Sequence, residues 1–98
     1  MIDLARIEGF DWDEGNSRKS ADKHGVGPAE AEQVFFNEPL LVVEDARHSV
    51  NEPRFHALGR TDDGRLLHIS FTLRGRLVRV ISARATHRRE RYRYAEET

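Results

Sequence analysis

Residues 53–84 read PRFHALGRTDDGRLLHISFTLRGRLVRVISAR, and they contain most of the residues predicted to form the sheet. It contains two hairpin turn signals, Asp62-Asp63-Gly64 and Arg74-Gly75, which separate three β-prone runs. These runs predict strands over about 53–61, 65–73 and 76–84. A shorter β-prone run, residues 40–43, precedes them and stops at Glu44-Asp45. The sequence therefore predicts a four-stranded antiparallel sheet.

The part of the chain that precedes these strands contains start and stop signals for a first helix. Asp11 or Asp13 can cap a helix that runs to about His24. Gly25 supplies the left-handed residue that ends helices, and Val26 can fold back as the apolar partner of that motif. This part of the chain is therefore predicted to be a helix with signals at both ends.

Two more helices are predicted, one before the strands and one after them. Pro28 fits the first position of a second helix. Its predicted apolar side consists of Ala29, Ala31, Val34 and Phe35. Thr86 is predicted to cap a last helix from His87 to about Ala95. The fold class is therefore α+β, with two N-terminal helices, a four-stranded antiparallel sheet and a C-terminal helix.

The hairpins predict which sheet face holds the helices. With two-residue turns at Asp63-Gly64 and Arg74-Gly75, Leu58 faces Ile69 and Val80, and Phe71 faces Val78. The predicted apolar face is then Leu58, Ile69, Phe71, Val78 and Val80. The opposite face carries Ala57, Gly59, His68, Ser70, Arg79 and Ile81, an open and partly polar surface. A slip of one residue would reverse every assignment on the slipped strand.

Length and composition predict one domain, residues 1–98, of a cytoplasmic protein. The chain has no cysteine, which excludes disulfides and zinc–sulfur sites. Residues 1–6 include charged side chains before any apolar run begins, so we expect no signal peptide. No stretch reaches the apolar length of a membrane span, so we expect no membrane association.

The net charge of −1 conceals an asymmetry between the two halves of the chain. Residues 1–45 carry a net charge of −7, whereas residues 46–98 carry +6 and all twelve basic side chains of that half are arginine. Arginine's planar fork suits phosphate, so the second half favours an anionic partner such as nucleic acid. The alternative is a solvated surface with scattered ion pairs.

The richest candidate for chemistry is the segment 79–94, which is predicted to run from a strand into the last helix. Arg84, Arg88 and Tyr92 recur at every fourth position and share one side if the helix begins early enough. Arginines such as these and Arg79 can stabilise the charge that develops on a phosphodiester, and tyrosine can stack on a base or move a proton. The alternative is a terminal helix whose exposed face is rich in arginine.

Two basic pairs are weaker candidates. Lys23-His24 ends the first predicted helix, where a cation interacts favourably with the helix dipole whether or not it has a further role. Arg47-His48 lies in a predicted loop, and histidine suits proton transfer near neutral pH, although such loop pairs are common on surfaces. The five histidines follow no metal-ligand spacing, so the sequence predicts neither a metal nor a cofactor.

A set of short motifs occurs in one order along residues 9–94. It comprises Phe10-Asp11-Trp12-Asp13, Lys23-His24-Gly25-Val26, Ala31 through Phe36, Glu44-Asp45 with Arg47-His48, Gly59-Arg60, Asp63-Gly64-Arg65, and Ile81-Ser82-Ala83-Arg84 with Arg88-Arg89-Glu90. The ordered set resembles the BrnT family of ribonuclease toxins. Each motif is weak alone, and the order makes the resemblance specific.

The resemblance implies a compact RelE-like fold and an endoribonuclease that arrests growth without a metal or cofactor. It implies a BrnA-like antitoxin with a ribbon-helix-helix part that neutralises the toxin, with promoter DNA bound only through that antitoxin in autoregulation. The implied catalytic candidates are His24, His48, Arg79, Arg84, Arg88 and Tyr92. The implied RNA-binding candidates are Lys23, Arg47, Arg60, His68 and Arg89.

In the implied reaction, His24 or His48 draws the proton from a ribose 2′-hydroxyl, which attacks the neighbouring phosphorus. Arginines neutralise the developing charge, and a proton donor serves the leaving 5′-oxygen. Because the attack needs the 2′-hydroxyl, the substrate is RNA. Two other classes remain open on the sequence: a non-catalytic RNA- or DNA-binding module, and an interaction protein whose basic half meets an acidic partner.

Overall fold

A five-stranded mixed sheet organises the residues that the structure, a computed structural model, describes: 4–48 and 51–98. The elements in chain order are β1 (Gly9–Phe10), α1 (Glu14–His24), α2 (Pro28–Val34), β2 (Leu41–Glu44), β3 (Arg54–Arg60), β4 (Leu66–Arg74), β5 (Leu77–Ala85) and α3 (Arg88–Glu97). The strand order is β1-β5-β4-β3-β2. The predicted α+β class with two N-terminal helices and one C-terminal helix is confirmed.

The prediction of four antiparallel strands is wrong because β1 adds a fifth, parallel strand. Gly9 pairs with Leu77 and Phe10 with Val78, at the outer edge of β5. The Asp11 N–H extends this pairing by donating to the Val78 carbonyl at 2.8 Å. Two residues are too few to show an alternating pattern, so the strand depends on the neighbouring edge and not on its own sequence.

The first helix has the predicted caps. It also lies along the rest of the β5 edge and forms hydrogen bonds with its backbone. Asp13 and Asn16 form a capping box, and Gly25 adopts the left-handed conformation with φ 67°. The Asn16 amide donates to the Val80 carbonyl at 3.0 Å, and the Ser20 hydroxyl accepts from the Ala83 N–H at 2.8 Å. Side chains of α1 therefore satisfy backbone groups that a further strand would otherwise bind.

The second helix covers one face of the sheet. Pro28 begins α2 as predicted, and Ala31 and Val34 are buried. Ala29 is exposed, so its predicted place on the apolar side is wrong, and Phe35 follows the helix and packs edge-on against Phe71 at 5.1 Å. The core under α2 contains Val26, Ala31, Val34, Phe55, Ala57, Leu67, Ile69, Phe71, Val78, Val80 and Ala83.

The predicted register between β3 and β4 is wrong by one residue. Leu58 pairs with His68, whereas the prediction paired it with Ile69. The loop is closed by the Thr61 N–H, which donates to the Arg65 carbonyl at 2.9 Å, so three residues and not two turn the chain. The additional loop residue exchanges the two faces of β3 relative to the prediction. Ala57 therefore faces the core under α2, and Leu58 lies on the opposite face.

From Phe71 to Arg74 the register of β4 on β5 differs from the prediction by two residues, since Phe71 pairs with Val80 and not with Val78. This even difference keeps Phe71, Val78 and Val80 in the core and Arg79 on the opposite face, as predicted. Between Leu67 and Ser70 the difference is three residues, so Ala83 pairs with Ile69 and lies in the core. Ile69 is in the core and His68 and Ser70 lie on the opposite face, as predicted. A bulge beside Ser70 and Phe71 leaves Ile81 unpaired in this ladder, outside the predicted alternation.

The last helix lies on the face opposite to α2. It begins at Arg88 with His87 as its N-cap, one residue later than predicted, and Leu58 is buried beneath it. The Tyr94 hydroxyl donates to the Pro39 carbonyl at 2.6 Å and so ties α3 to the chain before β2. Because Arg84 belongs to β5, the expected alignment of Arg84 with Arg88 and Tyr92 along one helix is wrong.

Candidate active site

Histidine and carboxylate side chains meet across the sheet face that carries α3. The members are Asp45 and His48, which follow β2, His56 on β3, His68 on β4, Arg84 on β5 and Glu90 on α3. We call these six residues the histidine cluster. Strand pairing brings its members together. His68 on β4 lies opposite Arg84 on β5, and His56 on β3 lies opposite Ser70 on β4.

The Asp45 carboxylate holds two imidazoles at one end of the cluster. Its Oδ2 lies 2.9 Å from Nδ1 of His48 and 2.8 Å from Nε2 of His56. Burial alone would raise the pKa of Asp45, but the hydrogen bonds from His48 and His56 lower this pKa to about 2. The ionised carboxylate favours the His48 tautomer with hydrogen on Nδ1, so Nε2 is left to accept a proton.

His68 lies at the centre of the cluster in a dry environment. Its ring centroid is 4.8 Å from that of His56, and its Nε2 is 3.7 Å from the Glu90 carboxylate. Burial lowers the pKa of His68 to about 4, with Arg84 and His56 acting in the same direction and Glu90 opposing them. At neutral pH this imidazole is therefore uncharged.

Glu90 lies at the end of the histidine cluster opposite to Asp45 and binds Arg84. Its carboxylate accepts two bonds from Arg84, at 2.8 and 2.9 Å, and one from the His87 N–H at 2.8 Å. Burial would raise the pKa of Glu90, but the hydrogen bonds from Arg84 and from the His87 backbone lower it to about 2. The ion pair fixes the start of α3 above β5.

Two buried ring nitrogens of the cluster carry a stability cost. Nδ1 of His56 and Nδ1 of His68 have no hydrogen-bond partner among the described residues. An unsatisfied buried polar atom destabilises a fold, and native proteins keep few of them. Such a cost is commonly retained where the side chain has a functional role.

A comparison of the whole chain with protein families establishes the class of the protein. The family model described as "Ribonuclease toxin, BrnT, of type II toxin-antitoxin system" matches residues 12–90. The chain belongs to the BrnT family. The matched span contains all six residues of the histidine cluster and ends on Glu90. A search of curated proteins found no match.

The structure brings part of the predicted site of this BrnT-family toxin together. His48, His68 and Arg84 belong to the histidine cluster, and Arg47 is exposed beside His48. Lys23 and His24 lie in the last turn of α1, and no hydrogen bond or ion pair seen among the described residues joins them to the cluster. His48 therefore contacts a carboxylate of the cluster, whereas His24 lies at the end of α1, apart from it.

The other predicted arginines occupy different surroundings. Arg79 binds Asp13 at 2.9 Å and approaches Asp11 at 3.5 Å, so it links β5 to the start of α1. Arg60 lies over the Tyr94 ring, 5.6 Å from its centroid. The predicted residues Arg88, Arg89 and Tyr92 are exposed on α3.

The sequence reasoning missed Asp45, His56 and Glu90 as site residues. Asp45 and Glu90 stood in motifs of the BrnT resemblance but received no role. His56 has the same strand parity as Leu58, so the incorrect register implies the core side for His56, although no face was assigned to it. A three-residue loop in the hairpin would have placed His56 beside His68.

The structure was also searched for other concave regions, for metal sites and for membrane-spanning helices. A concave apolar region near the start of the chain is lined by Leu4, Ile7, Phe10 and Phe36, with Glu8 as its ionisable residue. It lacks the paired groups that acid–base chemistry needs. Within residues 4–48 and 51–98, no group of three or more potential ligands is placed to hold a metal, and no helix is long and apolar enough to cross a membrane.

Proposed function

We propose that this BrnT-family toxin is a metal-independent endoribonuclease whose active site is the histidine cluster. The observation that carries the proposal is the Asp45 carboxylate, which holds His48 and His56 within hydrogen-bond distance. An ionised carboxylate that orients an imidazole is a recurrent arrangement for general-base catalysis. The His48 side chain is 59 % exposed, so its outer nitrogen is open to substrate.

In the proposed reaction, Nε2 of His48 takes the proton of a ribose 2′-hydroxyl. The 2′-oxygen attacks the adjacent phosphorus, and the bond to the 5′-oxygen breaks as that oxygen takes up a proton from a donor. The products are a 2′,3′-cyclic phosphate and a free 5′-hydroxyl. Asp45 stabilises the imidazolium that forms on His48, because its negative charge is close to the ring.

Cations on the same face supply the charge that phosphodiester cleavage needs. Arg47 adjoins His48 and is exposed, so we place it near the scissile phosphate. Arg84 lies three strands from β2, roughly 14 Å across the sheet, and we therefore assign it to a neighbouring phosphate of the same strand. Preorganised donors of this kind stabilise the charge that develops in the transition state.

Matched histidine substitutions test the assignment of the base. His48→Gln is expected to lower RNA cleavage at least about a hundredfold, since a general base typically contributes 10²–10⁴-fold. His24→Gln is the control and is expected to leave cleavage within about twofold, because His24 lies at the end of α1. Equal losses in the two variants would refute the assignment of His48.

Asp45→Asn separates a catalytic cluster from a binding surface. We expect this variant to bind RNA and to lose most of its cleavage rate, because the amide no longer favours the productive His48 tautomer. Wild-type protein that binds RNA without cleaving it would favour the alternative function, a non-catalytic RNA- or DNA-binding module. The same arginines would serve that alternative, so cleavage is the deciding measurement.

We also propose a BrnA-like ribbon-helix-helix antitoxin as the partner, with two toxins on one antitoxin dimer in the cytoplasm. Membership of a type II toxin–antitoxin family supports a protein antitoxin. The +6 charge of residues 46–98 favours contact on or beside the face that carries the cluster, with promoter DNA bound through the antitoxin. Co-expression with the product of the adjacent gene should restore growth and yield a co-eluting complex.

A further inference from the structure

A second concave site lies beside α3, and the proposed reaction makes no use of it. It has a volume of about 470 Å³, within the range of small-ligand sites. Its lining includes Pro39, Arg60, Gly64, Leu66, Arg91 and Tyr94. Gly64 belongs to the loop between β3 and β4, so this pocket opens toward that loop, whereas His56 and His68 lie toward the middle of the sheet. Glu90 of the histidine cluster and Tyr94 of the pocket both lie on α3, so this helix borders both sites.

The pocket presents a planar cation that lies over a buried tyrosine ring. The Arg60 guanidinium lies 5.6 Å from the centroid of the Tyr94 ring, and Tyr94 is itself buried and held by its bond to the Pro39 carbonyl. Arg60 is itself exposed. A guanidinium plane is a stacking surface for unpaired nucleobases, and Arg91 adds a second positive charge to the same pocket.

The outer surface of α3 connects the pocket to the histidine cluster. Arg88, Arg89 and Tyr92 are exposed there, and Tyr92 keeps 69 % of its accessible surface. Positive side chains interleaved with an aromatic ring are typical of surfaces that follow a single nucleic-acid strand. An exposed tyrosine on a highly charged helix is otherwise unexplained by the packing of α3.

We propose that the Arg60–Arg91 pocket binds one nucleotide of the RNA strand that occupies the histidine cluster, with the strand crossing the outer surface of α3. The inference rests on the proposed ribonuclease function and adds the substrate class: single-stranded RNA long enough to pass over a helix. A helix with its side chains is roughly 10–12 Å thick, so the two sites are several nucleotides apart. A short RNA fills the cluster alone.

The test measures the affinity of 2′-O-methylated RNA, which has no 2′-hydroxyl to attack, by fluorescence anisotropy. Two lengths are compared, about four and about twelve nucleotides. Arg60→Leu should weaken binding of the long RNA about tenfold and of the short RNA less than about twofold, because stacking on one base has this magnitude. Arg60→Lys should behave like Arg60→Leu, since lysine keeps the charge and loses the planar surface.

Arg18→Leu is the matched control because it removes one exposed arginine from α1, where Arg18 pairs with Glu14. It should leave the affinity of both lengths within about twofold, and thermal unfolding should show that all three variants fold. An equal loss of affinity for both RNA lengths, or no loss for the long RNA, would contradict nucleotide binding in the Arg60–Arg91 pocket. Either result would leave the proposal of cleavage at the histidine cluster unaffected. A wild-type protein that neither binds nor cleaves RNA would overturn the ribonuclease proposal itself.

Discussion

Arg84 and Glu90 form a two-bond ion pair, with Nη1–Oε1 and Nη2–Oε2 distances of 2.8 and 2.9 Å, that joins the end of β5 to the first turn of α3. Both side chains are less than a quarter exposed. The pair therefore positions a cation of the histidine cluster and also holds the start of α3 against β5.

Removal of the Glu90 charge should destabilise the protein. Glu90→Gln keeps the side-chain length and can still accept the bond from the His87 N–H, but it leaves Arg84 without a counter-charge. We expect the free energy of unfolding in urea to fall by about 1.5–3 kcal/mol, the value typical of a hydrogen bond to a charged group. Glu96→Gln, on the exposed side of α3, is the control and should change it by less than about 0.5 kcal/mol. Equal effects would show that the ion pair contributes nothing specific.

His68 should make stability depend on pH in a defined window. The unfolded chain binds a proton at this imidazole below about pH 6.5, whereas the folded protein binds it only near pH 4. Between these values the unfolded state holds more protons, so stability rises with pH and is lost as the pH falls from 6.5 toward 4.

Urea unfolding at pH 6.5, 5.5 and 4.5 measures the contribution of His68, which is at most roughly 2–3 kcal/mol over this window. The stability that Asp45 and Glu90 contribute is lost at lower pH, as the pH falls from their unfolded pKa values of 3.8 and 4.5 toward their folded values of about 2. His68→Gln should flatten the dependence between pH 6.5 and 4.5. An unchanged slope in this variant would contradict the buried, uncharged state of His68.

Gly59 should tolerate no side chain. A Cβ at this position would lie 2.8 Å from Cγ1 of Val34 and 3.3 Å from its carbonyl oxygen, so Val34 of α2 must shift to admit it. We expect Gly59→Ala to cost about 1–3 kcal/mol in unfolding free energy. Gly9→Ala is the matched strand control, since its Cβ would make an ordinary 3.6 Å contact with Leu77. A Gly59→Ala protein as stable as Gly9→Ala would contradict the close packing of α2 on β3.

The locally determined features of the fold were predictable from the sequence. Asp13, Gly25 and Pro28 act through hydrogen bonds and dihedral angles within a few residues, so their positions define α1 and the start of α2. The register of β3 was not predictable in this way. The Asp62-Asp63-Gly64 turn is compatible with two or three loop residues, and the choice depends on packing: Gly59 and Ala57 are small enough to lie beneath α2, and Leu58 is not.

The candidate site was only partly predictable for the same reason. His48, His68 and Arg84 carry recognisable chemistry, so each was a candidate from residue type alone. Asp45 and Glu90 each have one partner nearby in the chain, His48 and Arg84. Their contacts with His56 and His68, however, join separate elements of the fold. A correct register is therefore needed before these residues can be recognised.

The most direct test of the account is the cleavage of single-stranded RNA by purified, antitoxin-free protein in the presence of EDTA. We expect cleavage, products that end in a 2′,3′-cyclic phosphate or a 3′-phosphate, and no cleavage where a 2′-deoxynucleotide precedes the scissile bond. A parallel preparation of His48→Gln should be at least about a hundredfold slower, which attributes the activity to this chain. An absolute requirement for a divalent ion, or cleavage 3′ to a deoxynucleotide, would contradict the account.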